Sequence, residues 1–264
     1  NGSSSGSSYV VFGKSSGFGA SIEVSSLDGA NGFRLDGVTV QDNSGMSVSG
    51  AGDVNGDGFD DVIVGAHGAD PNGSYSGSSY VVFGKQSGFN ASMKLSSLDG
   101  SNGFRLNGET EKDFSGWSVS TAGDVNGDGF DDVFVGTNAE NPNGGNLGFS
   151  YVVFGKASGF DASMDLSVLD GTNGFRLNGE AAYDKSGASG SNAGDVNGDG
   201  FDDLIISASW ANPNGSFSGS SYVVCGKGSG FSASMELSNL DGSNGFRMDG
   251  VAEFGHSGSS ISDA

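Results

Sequence analysis

Short apolar runs rich in β-branched residues recur along the chain, separated by stretches of Gly, Ser, Asn and Asp. One set is Tyr9-Val10-Val11-Phe12-Gly13-Lys14, which returns from Tyr80, from Tyr151 and, with one change, from Tyr222. A second set is Val62-Ile63-Val64, Val133-Phe134-Val135 and Leu204-Ile205-Ile206. Runs of this length, bounded by turn-forming residues, predict buried strands rather than helices. A third set, Asn31-Gly32-Phe33-Arg34-Leu35, returns from Asn102, Asn173 and Asn244. In the best-centred copy the predicted strands lie near Gly116–Ala122, Asp132–Gly136, Ser150–Gly155 and Gly174–Leu177. A longer connection, Ser158–Gly171, carries Met164, Leu166 and Leu169 and has room for one helical turn.

All of these features step by 71 residues, and so do Pro71, Pro142 and Pro213 of three Pro-Asn-Gly turns. The units therefore align without insertion or deletion. Four short strands per unit, repeated, predict an all-β fold, a β-propeller built from four-stranded blades. The division that follows is a partial blade of two outer strands over 1–40 and full blades over 41–111, 112–182 and 183–253. The first strand of a further blade occupies 254–264. That arithmetic reads as a segment of a longer repeat array rather than a small closed ring.

Between the first two strands of each full unit lies the same nonapeptide, Asp53-Val54-Asn55-Gly56-Asp57-Gly58-Phe59-Asp60-Asp61, repeated at Asp124–Asp132 and Asp195–Asp203. Side chains at positions 1, 3 and 5 of such a loop converge, Gly at position 6 permits a sharp turn, position 7 offers its carbonyl and position 9 a carboxylate. The candidate ligands are Asp53, Asn55, Asp57 and Asp61, with the carbonyl of Phe59. In the second copy they are Asp124, Asn126, Asp128 and Asp132, with Phe130; in the third, Asp195, Asn197, Asp199 and Asp203, with Phe201. An all-oxygen donor set in a flexible loop favours Ca2+ over zinc, copper or magnesium, about three ions per chain. An EF-hand would need a Glu at position 12, where this chain has Val64, Val135 and Ile206. The loop thus joins strands, not helices.

Composition sharpens this picture. With 50 Gly, 16% charged and 34% hydrophobic residues, the chain would pass for low-complexity disorder, but disorder keeps no apolar residue in register. The net charge of −21 excludes nucleic acid and anionic membranes as partners, and no apolar run suits membrane insertion. Two carboxylates about 4 Å apart repel by roughly 4 kcal/mol at an effective dielectric of about 20, so the loops call for a divalent ion. Weak calcium modules of this kind belong outside the cell, in the calcium range of about 10⁻⁴–10⁻³ M. The one cysteine, Cys225, replaces the Phe of the other units and reads as a buried strand thiol; no disulfide framework exists. Asn1, Asn72, Asn90 and Asn214 open Asn-x-Ser sequons.

The Phe-Gly pairs at Phe12, Phe83 and Phe154, with Gly65-Ala66-His67 after a metal loop, resemble the FG-GAP repeat of integrin alpha chains and bacterial surface proteins. That resemblance implies a propeller with calcium bound between the two inner strands of a blade, on the twelve side chains just named, and a role in adhesion or interaction. The Gly-Ala element changes to Gly136-Thr137-Asn138 and Ser207-Ala208-Ser209, which puts a shared partner surface in question.

The favoured function is a secreted or cell-surface structural and adhesive module with a protein or glycan partner. A lectin, or a propeller attached to a secreted enzyme, is the alternative. No Ser/His/Asp or Cys/His set is visible, so an enzyme is not expected. Lys14, Lys85, Lys156 and Lys227, with Arg34, Arg105, Arg176 and Arg247, are expected to form salt bridges within blades. Trp117 and Trp210 break the repeat and read as irregular packing, with stacking on a sugar as the alternative; His67 and His256 show no ligand partner.

Overall fold

The computed structural model describes residues 2–139 and 148–262. The Pro142 turn, Asn1 and the last two residues, Asp263 and Ala264, lie outside the described residues. The chain opens with β1 (Ser7–Val11) and β2 (Gly32–Asp36). The next unit supplies β3 (Val48–Gly52), β4 (Asp61–Ala66), β5 (Ser78–Val82), a three-residue β6 (Ser92–Lys94) and β7 (Gly103–Asn107). The same order returns as β8 (Ser118–Gly123), β9 (Asp132–Gly136), β10 (Phe149–Val153), β11 (Ser163–Asp165) and β12 (Gly174–Asn178). It returns again as β13 (Gly190–Gly194), β14 (Asp203–Ala208), β15 (Ser220–Val224), β16 (Ser234–Glu236) and β17 (Gly245–Asp249).

The strands predicted within the units form, as antiparallel meanders β3-β4-β5-β7, β8-β9-β10-β12 and β13-β14-β15-β17, with β1-β2 as a shorter first sheet. The strand expected over 254–264 does not form: the described residues after β17 run through turns. The fold is all-β, and its succession of like sheets is consistent with propeller blades. No sheet closes on itself among the described residues.

The expectation of four strands per unit needs a correction. Each long connection holds a fifth, β6, β11 or β16, which leaves its own sheet and pairs in parallel with the outer strand of the preceding one. Thus β6 joins β2, β11 joins β7 and β16 joins β12. Ser92-Met93-Lys94 has no apolar run to betray it, because its ladder partner comes from another unit. The expected helical turn follows directly, as a 3₁₀ turn at Leu95–Ser97, Leu166–Val168 and Leu237–Asn239.

The core lies between sheets rather than inside any one of them. Ile63 and Val81 of the second sheet pack against Val133, Val135 and Val153 of the third, with Leu166 from the connection. Val64, Tyr80 and Val82 point the other way, against Phe33 and Leu35. Both faces of a middle sheet are therefore buried, which is why its strands read as continuous apolar runs without alternation. Each buried Leu, Val or Phe contributes roughly 1.5–3 kcal/mol, and every such contribution needs a neighbouring unit. Cys225 departs from expectation: it follows β15 rather than lying in it, and is half-buried with a free thiol.

Candidate metal centre

The loop is set up by a bulge. The β3–β4 register shifts between Gly50 and Gly52, and Gly52 has φ +71°. The same shift recurs at Thr121/Gly123 and Asn192/Gly194. A bulge bends the strand and adds local twist, turning the chain into the nonapeptide. Gly56 and Gly58 then adopt φ +71° and +85°, a region in which side chains other than Gly are strained.

Inside the loop, Asp53 Oδ1 accepts from the Asp57 amide at 3.0 Å and Oδ2 from the Gly58 amide at 2.9 Å. Asn55 Oδ1 also accepts from the Asp57 amide, at 2.8 Å, and Asp57 Oδ1 accepts from the Phe59 amide at 3.0 Å. The second and third loops repeat these bonds from Asp124, Asn126 and Asp128, and from Asp195, Asn197 and Asp199. The residues at positions 1, 3 and 5 thus share the exposed tip of one loop. Their oxygens are turned to the loop's own amides, and among the described residues no three His, Cys, Asp or Glu side chains gather into a metal-holding group. By chemistry the donors fit a hard divalent cation: all are oxygens, carried by one short loop, with no cationic side chain among them.

Position 9 has a different environment. Asp61 is buried beneath the tip, and its two oxygens accept from the Val54 amide at 3.1 Å and the Gly84 amide at 2.7 Å. It ties the loop to the chain leaving β5. Asp132 and Asp203 make the same pairs of bonds, with Val125 and Gly155 and with Val196 and Gly226. Burial pushes the Asp61 carboxyl up to about 7; the two amides oppose this, and the nearby Asp57 and Asp53 add to it. Asp132 is pushed up to about 8 by the same causes, and Asp203 is raised. Two amides do not fully compensate these buried charges, as expected of carboxylates drawn out of water toward other carboxylates.

Position 8 escaped the sequence reading. Asp131 Oδ2 accepts from the Asp53 amide of the preceding loop at 2.7 Å, and the Asp131 amide donates to the Asp53 carbonyl at 3.2 Å. Asp202 does the same to Asp124, at 2.9 and 3.2 Å. Phe130 lies where a side chain on Gly56 would be, within 2.3 Å of a built Cβ, and Phe201 stands likewise over Gly127. Neighbouring loops are therefore clasped into a row. The doubled Asp at the end of the motif was the available signal: one side chain serves its own loop and the other the loop before.

The cations only partly follow expectation. Arg34–Asp36 at 2.8 Å and Arg247–Asp249 at 2.9 Å are bridges within a unit. Arg176–Glu109 and Arg247–Glu180, however, reach back to the preceding unit. The four lysines form no ion pair among the described residues. Each lies over a ring instead: Lys14 on Phe18, Lys85 on Phe89, Lys156 on Phe160 and Lys227 on Phe231, at 4.8–5.2 Å.

Other singular residues also find their places. Trp210 carries the Lys185 ammonium 3.8 Å from its ring centre, on a face that sugar stacking would need. Trp117 stands against the His67 ring at 5.0 Å, and His256 stacks on Phe217. The Asn72 and Asn214 amides donate to the Gly108 and Gly250 carbonyls, so these two sequon nitrogens are engaged in the fold. No helix among the described residues is long and apolar enough to cross a membrane.

Three stretches, 44–82, 115–153 and 186–224, match the family model of the FG-GAP repeat. Each match takes in the first three strands of one sheet and the loop between the first two. The outer strand and the connection that crosses to the preceding sheet lie outside it.

Proposed function

We propose that this chain, an FG-GAP repeat protein, is a calcium-rigidified β-propeller segment that acts as a structural and adhesive module of a secreted or cell-surface protein. FG-GAP repeats point to a propeller-type interaction module. The observation that supports calcium is the threefold repetition of one exposed loop tip. In each, an Asn and two Asp share the tip over a third, buried Asp whose carboxyl is pushed upward. Asp53, Asn55, Asp57 and Asp61 would hold the first ion, Asp124, Asn126, Asp128 and Asp132 the second, and Asp195, Asn197, Asp199 and Asp203 the third. The carbonyls of Phe59, Phe130 and Phe201 would complete these sets. Bound calcium would offset most of the negative charge of each cluster and stiffen a row of loops already clasped to one another. A site filled at about 100 times its Kd adds roughly 2.7 kcal/mol to folding stability. Three sites would add about 8 kcal/mol, on the scale of the roughly 5–15 kcal/mol of an ordinary domain.

The repetition also supports a non-catalytic role, because a single active site has no need of three identical copies. A protein or glycan surface is the partner expected for such a module. The test is isothermal titration of the chelated protein with calcium, followed by thermal melting with and without EDTA. The reading expects about three ions per chain and a Tm that falls steeply in chelator. No saturable uptake and an unchanged Tm would overturn it.

A further inference from the structure

Each outer strand carries an Arg in register with a Tyr of the strand beside it: Arg34 with Tyr9, Arg105 with Tyr80, Arg176 with Tyr151 and Arg247 with Tyr222. In three of the four units a carboxylate matches this Arg. Arg34 holds Asp36 at 2.8 Å. Arg176 holds Glu109, from the bend after the preceding outer strand, at 3.0 Å. Arg247 holds both Asp249 and Glu180. The last case shows how Arg and Tyr act together, since one oxygen of Glu180 accepts from Arg247 Nη1 at 2.8 Å and from the Tyr222 hydroxyl at 3.0 Å.

The second unit has the Arg and the Tyr without the acid. Asn107 stands where Asp36 and Asp249 stand. Glu109 and Glu180 each lie 67 residues before their Arg, and the same step back from Arg105 gives Val38. Arg105 forms no ion pair among the described residues, and its Nε is buried without a hydrogen-bond partner. In the third unit Arg176 Nε is unpaired too, but there Nη1 has its Glu. Beside Arg105, the Ser78 hydroxyl and Asn107 Oδ1 are in register with each other, buried and unpaired. Their counterparts bond directly, Ser7 to Asp36 and Ser220 to Asp249. Burial pushes the Tyr80 hydroxyl up, and the adjoining Arg105 and Ser78 oppose this, so Tyr80 is a donor at neutral pH. The nearby acids are engaged elsewhere: Asp42 accepts from the Thr39 amide at 2.8 Å, and Asp165 from the Asn107 and Asn72 side-chain amides at 2.9 and 3.2 Å. Buried donors without an acceptor cost free energy that a bound anion recovers, most fully through charge-assisted bonds.

We propose that Arg105, Tyr80 and Ser78 form a binding site for a carboxylate from outside the chain, seated where Glu109 and Glu180 sit in the two units that follow. The carboxylate is either a small free acid or an acidic side chain of a partner. Arg105 is half-buried and Val38 is 39% exposed, so the site is reached from the Val38 side. The site lies between two units of the chain and shares no residue with the acidic loops, so it stands apart from the calcium reading.

The test compares melting of the whole chain in sodium acetate and in equimolar sodium chloride at pH 7, with calcium held constant. For a Kd on the order of 10 mM, about 50 mM acetate should raise Tm by about 2–4 °C over chloride. Arg105→Gln should lose that gain. Val38→Glu should lose it as well, while melting higher than the unsubstituted chain in chloride, because it supplies the acid from within. Broadening of the acetate methyl line in proton NMR reads binding directly, and both variants should abolish it. A glycine-flanked Glu peptide with blocked ends, beside its Gln twin, separates the sources. Binding of acetate alone assigns a free acid, and binding of the Glu peptide as well, but not the twin, assigns a partner's side chain. No gain over chloride in the unsubstituted chain, or a gain that survives in Val38→Glu, would overturn the proposal. Val38→Glu restores a pairing that the chain already uses, so the test does not rest on how Arg105→Gln folds.

Discussion

The clasp between loops yields a sharp prediction, because the same side chain occurs three times in one sequence motif with two different fates. Asp131 and Asp202 each accept a backbone amide from the preceding loop, at 2.7 and 2.9 Å, whereas Asp60 is exposed and, among the described residues, accepts none. A hydrogen bond to a charged group contributes roughly 1.5–3 kcal/mol. The Asp53 amide is only half-buried, so water replaces part of the lost bond and the lower end applies, about 1.5 kcal/mol. Burial and neighbouring acids raise the Asp131 carboxyl above its ordinary range, which pulls in the same direction. In a chain of this size 1 kcal/mol moves Tm by about 2–4 °C. Asp131→Ala and Asp202→Ala should therefore each lower Tm by about 3–6 °C, and Asp60→Ala by about 1 °C or less. Asp131→Asn, which keeps an acceptor, should fall between. Melting by circular dichroism, run once in excess calcium and once in EDTA, separates the clasp from any effect on ion binding. Equal losses for Asp60→Ala and Asp131→Ala in both buffers would show that position 8 does not act between loops.

Other outcomes follow from single contacts. Gly127 and Gly198 share a positive φ, +71° and +79°, but a Cβ on Gly127 would lie 2.3 Å from the Phe201 ring, whereas one on Gly198 meets nothing within 4 Å. Gly127→Ala should therefore be more destabilising than Gly198→Ala by about 1–3 kcal/mol in urea unfolding, the usual cost of overpacking. Phe160→Ala removes a half-buried ring stacked on Phe104 at 4.7 Å and edge-on to Phe83 at 5.2 Å, and should cost about 2 kcal/mol. Hydrogen exchange should then show the loss on both sheets that the connection joins. Burial and Glu180 push the Asp184 carboxyl up to about 6 from 3.8, with Arg247 opposing. A folded-state pKa above the unfolded one means that the charged form is penalised: the cost is absent below about pH 4, grows between 4 and 6, and is complete above. Asp184→Asn should thus stabilise the protein at pH 7 by up to about 3 kcal/mol and lose that advantage by pH 4, as read from urea midpoints.

What the sequence shows is whatever a unit does by itself. Val62-Ile63-Val64 and Tyr80-Val81-Val82 announce their strands, and the nonapeptide announces a loop between strands, because those signals are local. What it hides is whatever one unit does to another. Ser92-Met93-Lys94 pairs with β2 across a unit boundary, and three mixed residues have no periodicity to display. Lys85 looks like a salt-bridge partner until Phe89 is seen beneath it. Asp60 and Asp61 look like one acidic pair, yet the second residue of the motif's pair turns inward to its own loop, and the first, in Asp131, reaches back to another. Identical copies make this harder, since a residue that contacts the previous unit and one that contacts its own recur with the same period.

The departures from the repeat carry that missing information. Asp36, Asn107, Asn178 and Asp249 occupy one position, and Lys94, Asp165 and Glu236 occupy its neighbour across the boundary. Asp goes with Lys, and Asn goes with an acid. Such a pairing has no purpose inside a unit, where the two positions never meet; it makes sense only if each unit is fitted to the one that follows. The same holds for the buried faces. Val64 and Ile63 are adjacent in sequence yet pack into different cores, one shared with each neighbour. A single unit therefore cannot bury either face. Its stability is a property of pairs, as in repeat proteins whose units contact only their neighbours, and the acidic loops are clasped pair by pair along the same direction. A chain built in this way gains little from improving one unit alone, and it is at the boundaries between units that substitutions should cost most.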